Sequence, residues 1–436
     1  MRGLRSLLAL ELRELAAARS AALLVLLMGP LVAQAFASAT AVYAEASGLG
    51  GGPAALAMGL SPLDGFLVPV WGVYDVAAAL LLPFAAIRLL AVPRARGDLR
   101  LLVQAPVGAG LQLGAKALAL LVVWGLAWVP GLAALLLWRH GGGALHGPEV
   151  LTLLLGHALR GLLAIAVSLL AASVARSAAS AAILALGFTL GSWVLDLAGA
   201  AKGGWVARLA AFTPTAALRS FESGLLDLRP VAVLSLASLG ALACAALLLP
   251  PGRALRTRLL RAGATAGATL GLLLACTALR ASRDVSENRR HGFSPAVDAA
   301  LRALPGPVRL EVRLAPEDPR AADLRGTLAR LDRVVDLRTA WTAASRTGLF
   351  EAADPGYGEI TLRVGPGSAT TRSVAEPILL EALFQAAGRT LPDAEAPAYA
   401  GHPLPHAPGG MLVFGLLLWP GAVAFALFLL HRSRSR

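Results

Sequence analysis

The sequence predicts a polytopic α-helical membrane protein of about eight transmembrane helices, with a small α/β domain between the last two. The 436 residues are 57% hydrophobic and only 15% charged, and the mean hydropathy is +0.68. These values lie outside the range of soluble globular proteins. Apolar runs of the length that crosses a bilayer recur along the chain, except at about 284–400, where apolar and charged residues alternate.

Eight apolar runs are long enough to cross a bilayer, which takes about 20 residues. Short cytoplasmic loops carry an excess of positive charge, so the arginines between the runs indicate the orientation. With the amino terminus inside, the inner segments hold fifteen arginines and the short outer loops hold five arginines or lysines. We therefore expect a multi-pass protein of the cell (inner) membrane with both termini in the cytoplasm. The runs lie at roughly 21–43, 67–91, 112–137, 151–173, 179–198, 230–249, 263–280 and 410–430.

The amino-terminal residues 2–20 predict an amphipathic helix that lies along the inner face of the membrane. Glu11 interrupts its apolar side. Two interpretations stay open for this carboxylate: it meets an arginine of a neighbouring loop, or it remains solvated. The apolar side is formed by Leu4, Leu7, Leu8, Leu12 and Leu15.

Several functions are excluded by composition and spacing. The formal charge is +13, but the basic residues flank apolar runs and form no stripe with interleaved aromatics, so we expect no nucleic acid partner. Cys244 and Cys276 lie within apolar runs and predict neither a disulfide framework nor a metal site. No GxxxxGK[ST] motif occurs, so the chain has no P-loop for ATP hydrolysis. We expect no enzymatic activity and no bound cofactor.

Charged residues inside the apolar runs are functional candidates, because ionisable groups are costly in hydrocarbon. Arg160 in the fourth run and Asp196 in the fifth lie on helices joined by a tight turn. We expect the two helices to be antiparallel neighbours and Arg160 to pair with Asp196. The pair would be a structural clamp or a substrate contact. His157 lies near Arg160, and Asp75 in the second run is a weaker candidate of the same kind.

The segment 200–229 is apolar but too short and too charged to cross the membrane twice. It predicts two short helices, broken at Thr213-Pro214, that dip into the outer leaflet. Glu222 and Asp227 either gate an exit path, or cap a helix and pair with Arg219 or Arg229.

The region after the seventh run predicts a small α/β module. Ser294-Pro295 is typical of a helix start, and apolar residues alternate with charged ones from 308 to 314, as in a half-buried strand. A second helix begins at Asp318-Pro319. Strands near 334–341 and 359–364 and a helix near 376–388 complete a thioredoxin-like or related sheet. The module contains no cysteine, which excludes thiol redox chemistry.

A polar interruption, residues 93–110, separates the second and third runs. It contains the run Arg96-Gly97-Asp98-Leu99-Arg100-Leu101-Leu102, which is followed by Pro106-Val107 and Gly114-Ala115-Lys116. This pattern resembles the first cytoplasmic coupling loop of ABC-2 type permeases, through which a separate ATPase moves the membrane helices. Arg100 stands where that family usually has Glu. The residues that the resemblance assigns to ATPase coupling are Arg96, Gly97, Asp98, Leu99, Arg100, Leu102 and Pro106, with Gly114-Ala115-Lys116 following. In that family the position of Glu11 is an interfacial helix that braces the ATPase contact.

Two further segments indicate which group of ABC-2 permeases the chain resembles. Residues 221–229, which include Glu222, Asp227 and Arg229, resemble a segment of gliding-motility-type ABC-2 permeases. Residues 284–296 resemble the start of the auxiliary subunit of the same systems, and this likeness continues to about Arg389. That subunit is ordinarily a separate chain, so the resemblance implies a fusion to a truncated, extracytoplasmic auxiliary domain.

The resemblance implies a permease subunit of an ABC exporter. Its partners would be an ABC ATPase subunit that holds ATP and Mg, a second permease copy (identical or paralogous), the lipid membrane and a possible extracytoplasmic protein. The alternative is a non-transporting envelope scaffold or gliding-like mechanochemical anchor. The predicted domains are a six-helix permease domain (1–250), a basic cytoplasmic linker (251–262), helix seven (263–283), the α/β module (284–408), and helix eight with a basic tail (409–436).

Overall fold

The computed structural model is 71% helical, with a small sheet region. It forms two compact units, which are described separately. Unit 1 comprises residues 1–197, 210–285 and 399–436, and unit 2 comprises residues 198–209 and 286–398. The structure describes residues 2–49, 59–96, 108–202, 204–249, 254–279, 281–315, 318–342, 356–392 and 399–434.

Eight helical stretches are long and apolar enough to cross a membrane, which confirms the predicted number of candidate spans. All eight lie within unit 1 except the last residues of the fifth. In chain order, spans one to eight are Arg19–Ala46, Leu63–Pro93, Ala109–His140, Gly147–Val174, Ala178–Gly199, Leu228–Leu248, Leu255–Ala278 and Met411–Arg432.

Spans two and three are each interrupted near a proline. In span two, helices Val68–Leu80 and Leu82–Arg96 meet at Leu81, two residues before Pro83. In span three, helices Ala109–Ala127 and Val129–His140 meet just before Pro130. Proline lacks an N–H and its ring clashes with the carbonyl four residues earlier, so each break has a local cause.

The remaining helices and strands are labelled in chain order. Span five continues as a helix to Lys202, and span eight as one to Arg434. The helices outside the spans are α1 (Arg2–Ala16), α2 (Gly204–Ala210), α3 (Pro214–Glu222), α4 (Pro295–Arg302), α5 (Pro319–Leu331) and α6 (Glu376–Ala386). The strands are β1 (Leu225–Asp227), β2 (Ser282–Asp284), β3 (Val308–Val312), β4 (Leu337–Trp341), β5 (Ile360–Val364) and β6 (Gly367–Thr371).

The predicted basic linker differs from the structure. Residues 255–262 form the first turns of span seven instead of a connecting segment. Leucine, alanine and arginine are good helix formers, so a continuous helix through this stretch is favoured. Three arginines of the predicted linker, Arg256, Arg258 and Arg261, therefore lie on that helix.

The core of unit 1 contains a tight group of aromatic side chains from the first three spans. Phe66 and Trp138 stack with ring centroids 3.9 Å apart, and Tyr43 meets Trp138 edge-on at 5.0 Å. All three side chains are buried. Aromatic pairs of this geometry stabilise packing beyond the area they bury, so these contacts hold spans one, two and three together.

Span eight contacts span one through two glycines. A Cβ atom at Gly415 would lie 2.4 Å from Ala33 Cβ, and one at Gly29 would lie 2.3 Å from Trp419 Cδ1. The indole Nε1 of Trp419 donates to the carbonyl of Val25 at 2.8 Å. Small residues allow helix backbones to approach closely in membranes, and they hold the last span against the first.

Unit 1 also contains a short β-ladder. Strands β1 and β2 pair antiparallel, with Leu226 opposite Arg283. This ladder joins the chain before span six to the chain after span seven. Three-residue strands have too few residues to show an alternation, and the sequence did not predict them.

Unit 2 is a four-stranded sheet in the order β4-β3-β5-β6 with helices packed on it. Strand β3 is parallel to β4 and antiparallel to β5, and β5 is antiparallel to β6. The predicted alternation in β3 is confirmed, because Val308, Leu310 and Val312 are buried while Arg309 is exposed. Leu324 and Leu383 bring α5 and α6 into the same core.

Candidate functional site

A cluster of polar side chains is buried within unit 1. Spans two, four and five and helix α3 contribute its members, which are Asp75, His157, Arg160, Trp193 and Glu222. We call this set the buried charge cluster. Ionisable groups within membrane spans are rare and mark functional sites by default.

The centre of the cluster is an ion pair between spans two and four. Arg160 Nε donates to Asp75 Oδ1 at 2.9 Å, and the indole Nε1 of Trp193 donates to Asp75 Oδ2 at 2.9 Å. The Arg160 side chain is fully buried. Both oxygens of the carboxylate are therefore satisfied, which offsets the cost of burying its charge.

The predicted pair between Arg160 and Asp196 is wrong. Arg160 pairs with Asp75, and Asp196 accepts a hydrogen bond from Arg219 of α3. In the part of the chain that the structure describes, span four packs extensively on spans two and six but only marginally on span five. The short connection at 175–177 therefore does not make spans four and five packed neighbours, and the pairing expected from sequence order fails.

Several buried donors around the ion pair have no protein acceptor among the described residues. They include both terminal nitrogens of Arg160 and the indole nitrogens of Trp71, Trp124 and Trp128. A buried donor left without an acceptor costs about 1–3 kcal/mol. So many donors in one region can stabilise the oxygen atoms of a charged or hydroxylated molecule.

The indoles belong to one aromatic group beside the cluster. Trp71 stacks on Tyr74 with centroids 4.6 Å apart, meets Trp128 edge-on at 5.1 Å, and lies 5.7 Å from the His157 ring. The Tyr74 hydroxyl donates to the carbonyl of Ala127 at 3.1 Å and accepts from the amide of Gly131 at 2.9 Å. It thereby satisfies backbone groups at the proline break of span three.

Glu222 brings helix α3 to the cluster. Its Oε1 lies 3.8 Å from Nε2 of the fully buried His157. Burial and, to a lesser extent, the nearby charge of Asp75 raise the pKa of Glu222 to about 7, although the charge of Arg219 acts in the opposite direction. The predicted pairing of Glu222 with Arg219 or Arg229 is replaced by this contact with His157. A carboxyl group with a pKa near 7 can exchange its proton at neutral pH.

Asp227 and Arg229 have local roles at the start of span six. Asp227 Oδ1 accepts from the backbone N–H of Arg229 at 3.1 Å and so caps the helix. The guanidinium of Arg229 lies 5.4 Å from the ring centroid of Phe212. These contacts favour the capping interpretation of Asp227 over a gating role.

A second buried ion pair joins α1 to the start of span three. Lys116 Nζ donates to Glu11 Oε1 at 2.6 Å, and each side chain is only 3% exposed. Burial raises the pKa of Glu11, while the charge of Lys116 opposes that shift. Both interpretations from the sequence, a solvated carboxylate and an arginine partner, are therefore wrong. The partner is the one lysine of the Gly114-Ala115-Lys116 segment.

Most of the segment assigned to ATPase coupling lies outside the described residues. Gly97, Asp98, Leu99, Arg100, Leu102 and Pro106 lie outside the described residues, and Arg96 is the last residue of the helix before them. The chain is described again from Gly108, just before helix Ala109–Ala127 of span three.

No group of three or more potential metal ligands occurs among the residues that the structure describes. Cys244 and Cys276 are both buried and free.

Sequence reasoning missed Trp193 and the Glu11–Lys116 pair. Arginine stands at nearly all basic positions of this chain, so a lysine within a candidate span is unusual. Lys116 was therefore the available signal for the second of these. His157 and Arg160 are three residues apart, which places them on one helix face, so a shared site was also readable. Asp75, their partner on span two, could not be predicted, because the sequence does not show which helices pack against one another.

The chain matches no family model, no curated protein and no solved structure.

Proposed function

We propose that this chain is the membrane-spanning permease subunit of an ABC exporter, in which a separate ATPase drives helix movement. The observation that carries the proposal is the buried Glu11–Lys116 ion pair. It fixes α1 to span three at Lys116, ten residues after Pro106 and shortly beyond the segment 97–107. A force applied to that segment is therefore transmitted to α1 and to span three together.

The surface of unit 1 supports a membrane location. Large apolar side chains are exposed on several spans, among them Leu136 (72%), Leu151 (69%) and Leu197 (73%). Exposed apolar area of this extent is unfavourable in water and favourable in contact with lipid. The cell inner membrane, with both termini in the cytoplasm, remains the proposed location and orientation.

The buried charge cluster is the proposed substrate-contacting site, where helix movement would change which groups a substrate can reach. Its ion pair joins spans two and four, and Glu222 connects it to α3. A coupling mechanism requires contacts that differ between two states. Displacement of α3 would break the contact between Glu222 and His157 and expose the donors of Arg160 to a substrate group.

The partners follow from this proposal. An ABC ATPase would supply ATP and Mg and contact α1 and residues 96–106. A second permease, identical or paralogous, would complete the transporter.

The test is co-purification with an ABC ATPase encoded beside this chain. The double substitution Leu99→Asp and Leu102→Asp replaces two apolar residues of the segment with negative charges, and we expect it to abolish the complex and the stimulated ATP turnover. Leu49→Asp is the matched control, because Leu49 is already 47% exposed and follows span one. An undiminished complex with unchanged turnover in the double variant would leave the scaffold function as the better account.

A further inference from the structure

One face of the sheet in unit 2 is open and polar. The side chains of Val308, Leu310 and Val312 point to the helices, so Arg309 and Glu311 of the same strand point to the opposite face. On the neighbouring strand β5, Thr361 and Arg363 alternate with buried residues in the same way. The open face belongs to unit 2 and the buried charge cluster to unit 1. An inference from this face therefore does not depend on the proposed transport function.

Three arginines lie in one row across this face. Arg309 on β3 is directly opposite Arg338 on β4 and directly opposite Arg363 on β5. We call these residues the arginine row. Neighbouring strands are about 4.8 Å apart, so the backbone positions of the three arginines follow one another at about that spacing.

The row carries positive charge that the described part of the chain leaves largely uncompensated. Arg338 Nη2 lies 3.6 Å from Asp336 Oδ2, and both side chains are more than half exposed, so this pair is weak. Arg309 and Arg363 form no ion pair with any residue that the structure describes. Like charges placed directly opposite one another destabilise a sheet.

The row lines a shallow cavity of about 270 Å³. Besides the three arginines, Glu311 and Thr361 contribute to its lining. Guanidinium groups bind carboxylates through two parallel hydrogen bonds, and the threonine offers a hydroxyl. The lining therefore suits a ligand that carries carboxylates and hydroxyl groups.

We propose that the arginine row binds a linear acidic polysaccharide. A row of charges at regular spacing complements a polymer with repeated carboxylates better than it complements a single small anion. An anionic bilayer would also contact large apolar side chains that insert at the interface, and single-stranded nucleic acid would stack on aromatic side chains. The row and the cavity lining include no aromatic residue, and the large apolar residue of the lining, Leu310, is buried.

The test measures binding of the full-length protein, purified in detergent, to immobilised polygalacturonate, with neutral dextran and vesicles of anionic lipid as comparison probes. The variant Arg309→Gln/Arg363→Gln removes two charges from the row. The control Arg302→Gln/Arg389→Gln removes two exposed arginines elsewhere in unit 2. Thermal unfolding and gel filtration verify that every variant is folded.

We expect the row variant to lose about tenfold in affinity for polygalacturonate or more, and the control to change within about twofold. Affinity should fall as the salt concentration rises from about 0.1 M to about 1 M. Glu311→Gln removes a repelling carboxylate from the cavity and should strengthen binding. A gain cannot arise from misfolding, so this variant tests the site independently.

Three results would overturn the proposal. These are equal losses in the row and control variants, equal binding to neutral dextran, and absence of binding to polygalacturonate. Preferential binding to the anionic vesicles that depends on the row would assign the face to membrane contact instead.

Discussion

At the scale of single residues, the ion pair between Arg160 and Asp75 dominates the interior of unit 1. Removal of one partner leaves a buried charge without compensation, so we expect Arg160→Met to lower the free energy of unfolding by about 3–5 kcal/mol. Arg160→Met combined with Asp75→Asn should recover most of the loss. Thermal unfolding of the purified protein measures both variants.

Arg302→Met serves as the control for this prediction. Arg302 pairs with Asp298 on the surface, with side chains 67% and 30% exposed, so its loss should cost less than about 1 kcal/mol. A cost for Arg160→Met as small as that of the control would show that the buried pair is not structural.

Glu222 predicts a pH dependence. Its pKa is raised from 4.5 to about 7, so between these values the folded protein keeps a proton that the unfolded chain has lost. The contribution of Glu222 to the free energy of unfolding is fully present below pH 4.5 and is lost as the pH rises to about 7. Asp75, His157 and Arg219 are the ionisable groups around it.

Thermal unfolding from pH 5 to pH 8 should therefore show a loss of about 2–3 kcal/mol, at roughly 1.4 kcal/mol per pKa unit. Glu222→Gln should remove this slope, because glutamine resembles the protonated acid. The exposed Glu14→Gln variant should retain it. An unchanged slope in Glu222→Gln would mean that other groups cause the pH dependence.

At the scale of helices and strands, the Glu11–Lys116 pair determines whether α1 stays on span three. We expect Glu11→Leu to leave Lys116 buried without a partner and to speed amide hydrogen exchange of α1 on the order of 100-fold. Exchange detected by mass spectrometry measures this directly. The charge-swapped variant Glu11→Lys/Lys116→Glu should restore slow exchange, and equal exchange in all variants would contradict the linkage.

The contact between spans one and eight gives a second prediction at this scale. Gly415→Ala would place a Cβ 2.4 Å from Ala33, and we expect a loss of about 1–3 kcal/mol from the resulting clash. Gly421→Ala lies in the same span with open space around it. Since alanine favours helix over glycine, this control should be neutral or stabilise by up to about 1 kcal/mol. Equal effects would exclude close packing at Gly415.

These elements also show what the sequence could and could not predict. Apolar length located all eight candidate spans, and alternation located β3, because both signals are local. The partners of the buried charges could not be predicted from local signals. Arg160 pairs with Asp75 and Glu11 pairs with Lys116, in each case between helices that are distant in sequence. The row Arg338–Arg309–Arg363 likewise depends on strand register, which the alternation within a single strand does not specify.

At the scale of the whole molecule, the two units have different proposed tasks. In unit 1, we propose that the Glu11–Lys116 pair transmits force applied near residues 97–107 and that the buried charge cluster changes its contacts in response. In unit 2, the arginine row offers a surface for an acidic polymer. The first task depends on a motor protein and the second does not, so the two can be tested separately.

The most direct test of the central claim is labelling of Leu102→Cys with a membrane-impermeant maleimide, in cells with and without the ABC ATPase. The natural cysteines are buried, and Leu49→Cys, which follows span one, is the control. We expect Leu49→Cys to react in intact cells, and Leu102→Cys to react only after permeabilisation and to be protected by the ATPase. Reaction of Leu102→Cys in intact cells, or no protection by the ATPase, would contradict the central claim.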